Sequence, residues 1–176
     1  MDSISALREQ LSSAHWLLEE TMNGVTPEVF RWDAPGRAES IADNYLHTVV
    51  GEDQTIHGML QNKSPLLATS WTGKTGLSSV PEGAHGSDDW STWIKSVEVD
   101  LPKFREYAKA VHAAADAYLA SLKPEDLVRP VDLAGFGLGV QSTNWAIYNF
   151  VIGHAAQHNG EISVMKGCQD LRGYPY

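Results

Sequence analysis

The sequence predicts an all-α protein, an antiparallel four-helix bundle with long connections, and three of its features carry that prediction. Four long stretches space their apolar residues by three and four, the interval at which side chains share one face of a helix. Each stretch opens near a Ser, Thr or Asp whose side chain can accept from the first free amides. The segments between them are crowded with Gly and Pro. With no internal repeat and no second core, the 176 residues read as a single domain over 1–176.

The first helix carries Ile4, Leu7, Leu11, Ala14, Leu18 and Met22 on one stripe, with Asp2 or Ser3 as its cap and Gly24 just past its end. Residues 26–36 contain Pro27 and Pro35 and read as a connector with a helical turn at Pro27-Glu28-Val29-Phe30. Ser40 caps the second helix, which runs to about Leu60 with Ile41, Tyr45, Val49, Ile56 and Leu60 toward the core. Residues 62–89, with Pro65, Gly73, Gly76, Pro81, Gly83 and Gly86, form a long loop of the kind that serves as a lid or site wall. Ser87-Asp88-Asp89 opens a short helical stretch containing Trp90, Trp93, Ile94 and Val97. Pro102 either kinks a continuous helix or occupies its first turn after a cap at Asp100. From there Leu101, Phe104, Ala108, Val111, Ala115, Leu119 and Leu122 make the cleanest stripe, stopped by Pro124. Residues 125–141 are read as an extended excursion that does not form a sheet. Ser142 or Thr143 caps the last helix, which Gly167 ends.

Asp and Glu outnumber Lys and Arg by 22 to 13, a net charge of −9. A phosphate backbone or an anionic membrane surface would be repelled, so neither nucleic acid nor membrane is an expected partner. The single cysteine, Cys168, excludes an internal disulfide framework and a Cys-rich zinc site. Nothing near it marks it as a nucleophile. No apolar run approaches the length of a membrane span, and the opening residues lack a basic patch followed by an apolar run. A cytoplasmic location is expected.

The chemistry concentrates in His154-Ala155-Ala156-Gln157-His158. Residues four apart differ by about 40° around a helix, the placement at which two imidazoles can hold one metal ion. Ile147, Val151, Ile162 and Met165 share that arc, which directs both rings into the bundle. Two readings follow: a metal pair, or core histidines satisfied by hydrogen bonds to neighbouring helices. Ala155 stands where a zincin carries its general-base Glu, which disfavours a metalloprotease. A third ligand has to come from another helix.

His47 lies in Ser40-Ile41-Ala42-Asp43-Asn44-Tyr45-Leu46-His47-Thr48-Val49-Val50-Gly51-Glu52-Asp53. That segment, with His154-x-x-x-His158-Asn159-Gly160-Glu161-Ile162, resembles the DinB-like (DinB/YfiT) family of metal-binding four-helix bundles. The likeness covers nearly the whole chain, to the closing Lys166-Gly167-Cys168-Gln169-Asp170-Leu171-Arg172-Gly173-Tyr174-Pro175. The resemblance implies an unusual connection order, a homodimer, and one divalent metal held by His47, His154 and His158. Imidazoles suit zinc, nickel and iron alike. On an ideal wheel His47 lies off its helix's apolar stripe, so either that helix is buried over a wide arc or His47 faces a pocket, with Gly51 and Gly58 leaving room.

Three neutral histidines leave a metal open positions, as in catalytic sites. The resemblance implies a thiol-binding role, since related bundles transfer or isomerise with mycothiol, bacillithiol or glutathione. The expected function is a metal-dependent thiol S-transferase or isomerase acting on small electrophiles, with a low-molecular-weight thiol as co-substrate. The alternatives are a metal-activated hydrolase with Glu161 as proton acceptor, and a non-catalytic, stress-linked metal-binding protein. Glu161 itself could orient a ligand, add a fourth, act as a base, or be a surface carboxylate. Glu52 and Asp53 are read as a solvated pair near the bundle end, His57, His85 and His112 as surface or loop residues, and His15 as a partly buried packing residue. Trp71, Trp90, Trp93 and Trp145 either wall a cleft or belong to the core.

Overall fold

Helix α1, Ser3–Thr21, starts where the Asp2 carboxylate accepts the Ser5 amide at 2.9 Å. Thr26 caps the one-turn α2, Pro27–Arg31, and Ser40 caps α3, Ile41–Asp53. The end of α3 widens into a π-helical turn over Gln54–Met59. Ser87 caps α4, Asp88–Ser96, and Asp100 caps α5, Leu101–Ser121, with Pro102 in the first turn, so that proline begins a helix and kinks none. Ser142 caps α6, Thr143–Ile147, which passes through a second π-helical turn, Tyr148–Ile152, into α7, Gly153–Gly167. These elements come from a computed structural model that describes residues 2–176.

Residues 125–141 were expected to stay out of any sheet, yet Pro130–Asp132 (β1) and Val140–Ser142 (β2) pair antiparallel, with Pro130 opposite Ser142. Strands this short show no alternation to read. Gly137 and Gly139, both at positive φ, let the chain turn back between them.

The bundle consists of α1, α3, α5 and α7, with α1 and α3 each packing against both α5 and α7. Its cross-links fix the directions. Arg8 meets Asp116 and Arg105 meets Glu19, so α1 and α5 are antiparallel. His158 meets Asn44 and His154 meets His47, so α3 and α7 are antiparallel as well. In contrast, Tyr45 packs on Phe104 and Tyr107 bonds to Asp53, which makes α3 and α5 parallel. The connection 60–100 therefore returns along the bundle before α5 begins, and its length has that purpose. It is tied down as it goes: Asp100 donates its amide to Gly76 O, and a side chain on Gly76, at φ +81°, would collide with the Asp100 carbonyl.

Two apolar clusters make up the core. One gathers Leu18, Met22, Tyr45, Val49, Phe104, Ile162 and Met165, the other Leu7, Leu11, Ile56, Ala115, Leu119, Ile147 and Val151. Between them lies a polar layer, with His15, Glu52, His112 and Asn159 all buried. Glu52 and Asp53 are thus no solvated pair, being 1% and 0% exposed, and His112 is no surface residue. For Glu52 and Asp53, hydrogen bonds make this burial tolerable. Asp53 accepts from the amides of Leu66 and Leu67 at 2.9 and 3.0 Å and from the Tyr107 hydroxyl at 2.6 Å, with His57 at 2.8 Å. His57, half-buried, belongs to this anchor and not to the open surface. Among the described residues no helix is long and apolar enough to cross a membrane.

Candidate metal centre

His47 on α3 and His154 and His158 on α7 converge across the antiparallel α3–α7 contact, each half-buried. His154 Nε2 lies 2.8 Å from His47 Nε2 and 3.0 Å from His158 Nε2, and the three ligand atoms all lie within 4.8 Å of one another. Gly51 borders the approach: a β-carbon there would make ordinary contacts, 3.7 Å from His154 Cε1 and 3.9 Å from His47 Cε1, so only a side chain larger than a methyl would reach into the site. Gly58, in contrast, neighbours Lys63 and has no part in the site. The wheel placed His47 off the apolar stripe because α3 buries residues on almost every side, including Asn44, Thr48 and Val50.

The protons of the cluster follow from its neighbours. Asn44 Nδ2 donates to the carbonyl of Ser40 at 3.0 Å, which turns Asn44 Oδ1 toward His158 Nδ1 at 2.8 Å. Glu161 Oε2 faces the same nitrogen at 2.6 Å. Two acceptors place the His158 proton on Nδ1 and leave Nε2 as a lone pair aimed at His154. Burial, then the neighbouring His85, His154 and His158, depress His47 to about 2. Burial, then His158 and His85, depress His154 to about 4. At neutral pH both rings are uncharged. One His154 nitrogen between two other ring nitrogens cannot satisfy both with a single proton, whereas a divalent cation accepts all three lone pairs. Ligands at about 2.0–2.1 Å from a zinc-like ion lie about 2.9–3.4 Å apart, close to the separations found here. The residues fit a metal.

A fourth histidine joins them. His85, on the 62–89 loop, stacks on His47 with ring centroids 3.6 Å apart at 15°. Its Nε2 sits 3.1 Å from Glu39 and 3.3 Å from Asp43, and Trp90 Nε1 donates to the same Asp43 oxygen at 2.7 Å. Burial works against a proton on His85, but those two carboxylates raise its pKa nonetheless. The sequence marked the loop as a site wall but gave no sign that His85 was its contact. Trp90 and Trp93 are core residues, and Trp90 also stands edge-on to His47 and His85. Trp71 and Trp145 touch Tyr107 and Phe150. Cys168 is exposed and remote from the histidines.

A cleft of about 600 Å³ opens beside the cluster, lined among others by Arg37, Asn44, His85, His158, Glu161 and Met165. A larger one, about 690 Å³, lies between the end of α1, α2 and the start of α5, far from this chemistry. Its guanidinium groups are already engaged, Arg31 with the Ile94 and Val97 carbonyls and Arg105 with Glu19.

Fold and cluster together define a helical-bundle protein with a histidine triad able to hold a metal ion between two antiparallel helices. The chain belongs to the DinB superfamily, whose sequence profile matches residues 10–162. A solved structure described as the conserved protein of locus from Enterococcus faecalis shares the fold, with a TM-score of 0.76 at 23% identity over 94% of this chain and 95% of that one. No curated protein matches the chain.

Proposed function

We propose that this protein holds one divalent metal ion through His47, His154 and His158 and acts as a thiol S-transferase or isomerase on small electrophiles. The observation that carries the proposal is the convergence of three imidazoles, their nitrogens 2.8 and 3.0 Å apart, beside a cleft of about 600 Å³. A metal held by three neutral histidines keeps open positions and lowers the pKa of a thiol bound there. The chain's own residues supply the rest. Glu161 and Asn44 orient His158, and Gly51 keeps any larger side chain out of the space in which the rings meet.

The position of Glu161 favours a thiol over water as the nucleophile. Its carboxylate is engaged on Nδ1, the side of the ring turned away from His154, so it is poorly placed to take a proton at the cluster. The hydrolase reading relies on Glu161 to take the proton from water during attack, whereas a metal would make a bound thiol acidic enough to lose its proton to solvent before attack. The proposed partners are accordingly a small-molecule substrate and a second copy of the chain, with no nucleic acid or membrane. Metal analysis of the wild type beside His47→Ala and His154→Ala should show one equivalent of metal in the first that is missing from both variants, with helicity retained. Titrating thiols into the cobalt-loaded protein should then produce a sulfur-to-cobalt charge-transfer band. Ester or amide hydrolysis without any thiol response would favour the hydrolase, and silence in both assays would leave a metal-binding protein without turnover.

A further inference from the structure

A second group of side chains converges between α1, α3 and α5, with Glu52 about 140° around α3 from His47. Glu52 is 1% exposed, His15 8% and His112 9%. His15 Nε2 lies 3.0 Å from Glu52 Oε2 and His112 Nδ1 lies 3.3 Å from Glu52 Oε1, with the two rings stacked at 3.8 Å. The far nitrogen of His112, Nε2, is buried without a hydrogen-bond partner. It faces Glu19 Oε1 at 3.6 Å, and Glu19 is itself held by the Tyr45 hydroxyl at 2.6 Å and by Arg105 Nε at 2.9 Å.

We propose that His15, Glu52 and His112 form a second divalent transition-metal site, separate from the histidine triad, with Glu19 orienting His112 from behind. Spacing and access support it. The 3.3 Å between His112 Nδ1 and Glu52 is long for a charge-assisted hydrogen bond, which runs about 2.7–2.9 Å. It matches the edge between two ligands that each stand about 2.1 Å from one ion. Ligation at Nδ1 also gives the unpartnered Nε2 its use, as an N–H directed at Glu19 in the carboxylate–histidine–metal relation. A cleft of about 580 Å³ reaches His15 from solvent past Glu9, Glu19, Glu20 and Asp116, an acidic mouth in which the one cation, Arg8, is paired to Asp116. Two imidazoles and a carboxylate make a harder ligand set than three imidazoles, suited to iron(II), manganese(II) or zinc.

Glu52 and Glu19 favour a proton on His112, which with Arg105 balances their charge, so the experiment has to separate a proton from a metal. Metal-free wild-type protein is titrated with cobalt(II) at neutral pH, and bound metal is read by mass spectrometry and by the visible d–d bands. Wild type should take about two equivalents, His47→Ala/His154→Ala about one, and Glu52→Gln about one, with different cobalt spectra for the two variants. Glu52→Gln keeps the side-chain shape, and thermal melting reports whether it folds. The wild-type titration needs no variant. Saturation of wild type at a single equivalent, or two equivalents retained by folded Glu52→Gln, overturns the proposal. Loss of metal from the triad variant alone bears on the triad and not on this site.

Discussion

Replacing Glu161 with Gln asks what that carboxylate does, and the structure sets the size of the answer. The Nδ1 proton of His158 has two acceptors, Glu161 at 2.6 Å and Asn44 at 2.8 Å. Removing the outer partner of a ligating histidine weakens metal binding by about 10–100-fold. The Glu161 side chain is 58% exposed, so water screens much of its charge. Glutamine keeps an acceptor oxygen, and Asn44 remains in place. Glu161→Gln should therefore fall at the mild end, about 10-fold or about 1.4 kcal/mol. Glu161→Gln combined with Asn44→Ala leaves the ring without either partner and should approach about 100-fold. Competition of the metal-free protein against a chromophoric zinc chelator measures both. If Glu161→Gln alone abolished stoichiometric binding, Glu161 would be a ligand and the orienting role would be wrong. If the double variant bound like wild type, neither acceptor would position the ring.

Gly51→Ala should be accepted at the triad, because its methyl would make ordinary contacts at 3.7 and 3.9 Å, and should stabilise the helix by about 0.5–1 kcal/mol. Calorimetry should show Tm raised by about 1–4 °C with metal content unchanged, whereas Gly51→Leu should expel the metal. Tyr107→Phe removes one of the hydrogen bonds to buried Asp53, at a cost of about 1.5–3 kcal/mol, and chemical denaturation should register it without any change in metal content. In the metal-free protein, His47 and His154 stay uncharged when folded, with pKa values near 2 and 4, but take up protons when unfolded below about 6.5. The unfolded state then binds more protons, so stability should fall as pH drops from about 6.5 toward 4. Melting curves of His47→Ala/His154→Ala should show a weaker acid dependence.

The helices were legible because their apolar residues repeat at the helical period and their caps are Asp2, Ser40, Ser87, Asp100 and Ser142, all found in place. The last-helix histidines were legible from their spacing, and His47 through the resemblance that its segment carries. What the sequence hid depends on contacts between distant elements. Glu52 and Asp53 look solvent-facing in a list of residues, and only the partners His15, His112 and Tyr107, brought in from other helices, make their burial tolerable. His85 was unreadable for the same reason, since its stacking on His47 is set by where a long loop happens to return. The parallel run of α3 and α5 also leaves no local trace, because direction is decided by a connection and not by either helix.

The widened turn at Tyr148–Ile152 bears on how much length variation the last helix tolerates. A π-turn holds a residue that a regular turn has no place for, and here Gly153, whose β-carbon would stand 3.0 Å from the Tyr148 carbonyl, borders it. Losing one residue from this turn would let it close to ordinary α-geometry, with the preceding segment kept near its present phase and the spacing between His154 and His158 unchanged. Relatives that differ by a residue here would thus keep the hairpin side of the molecule in place as well as the imidazoles beyond it.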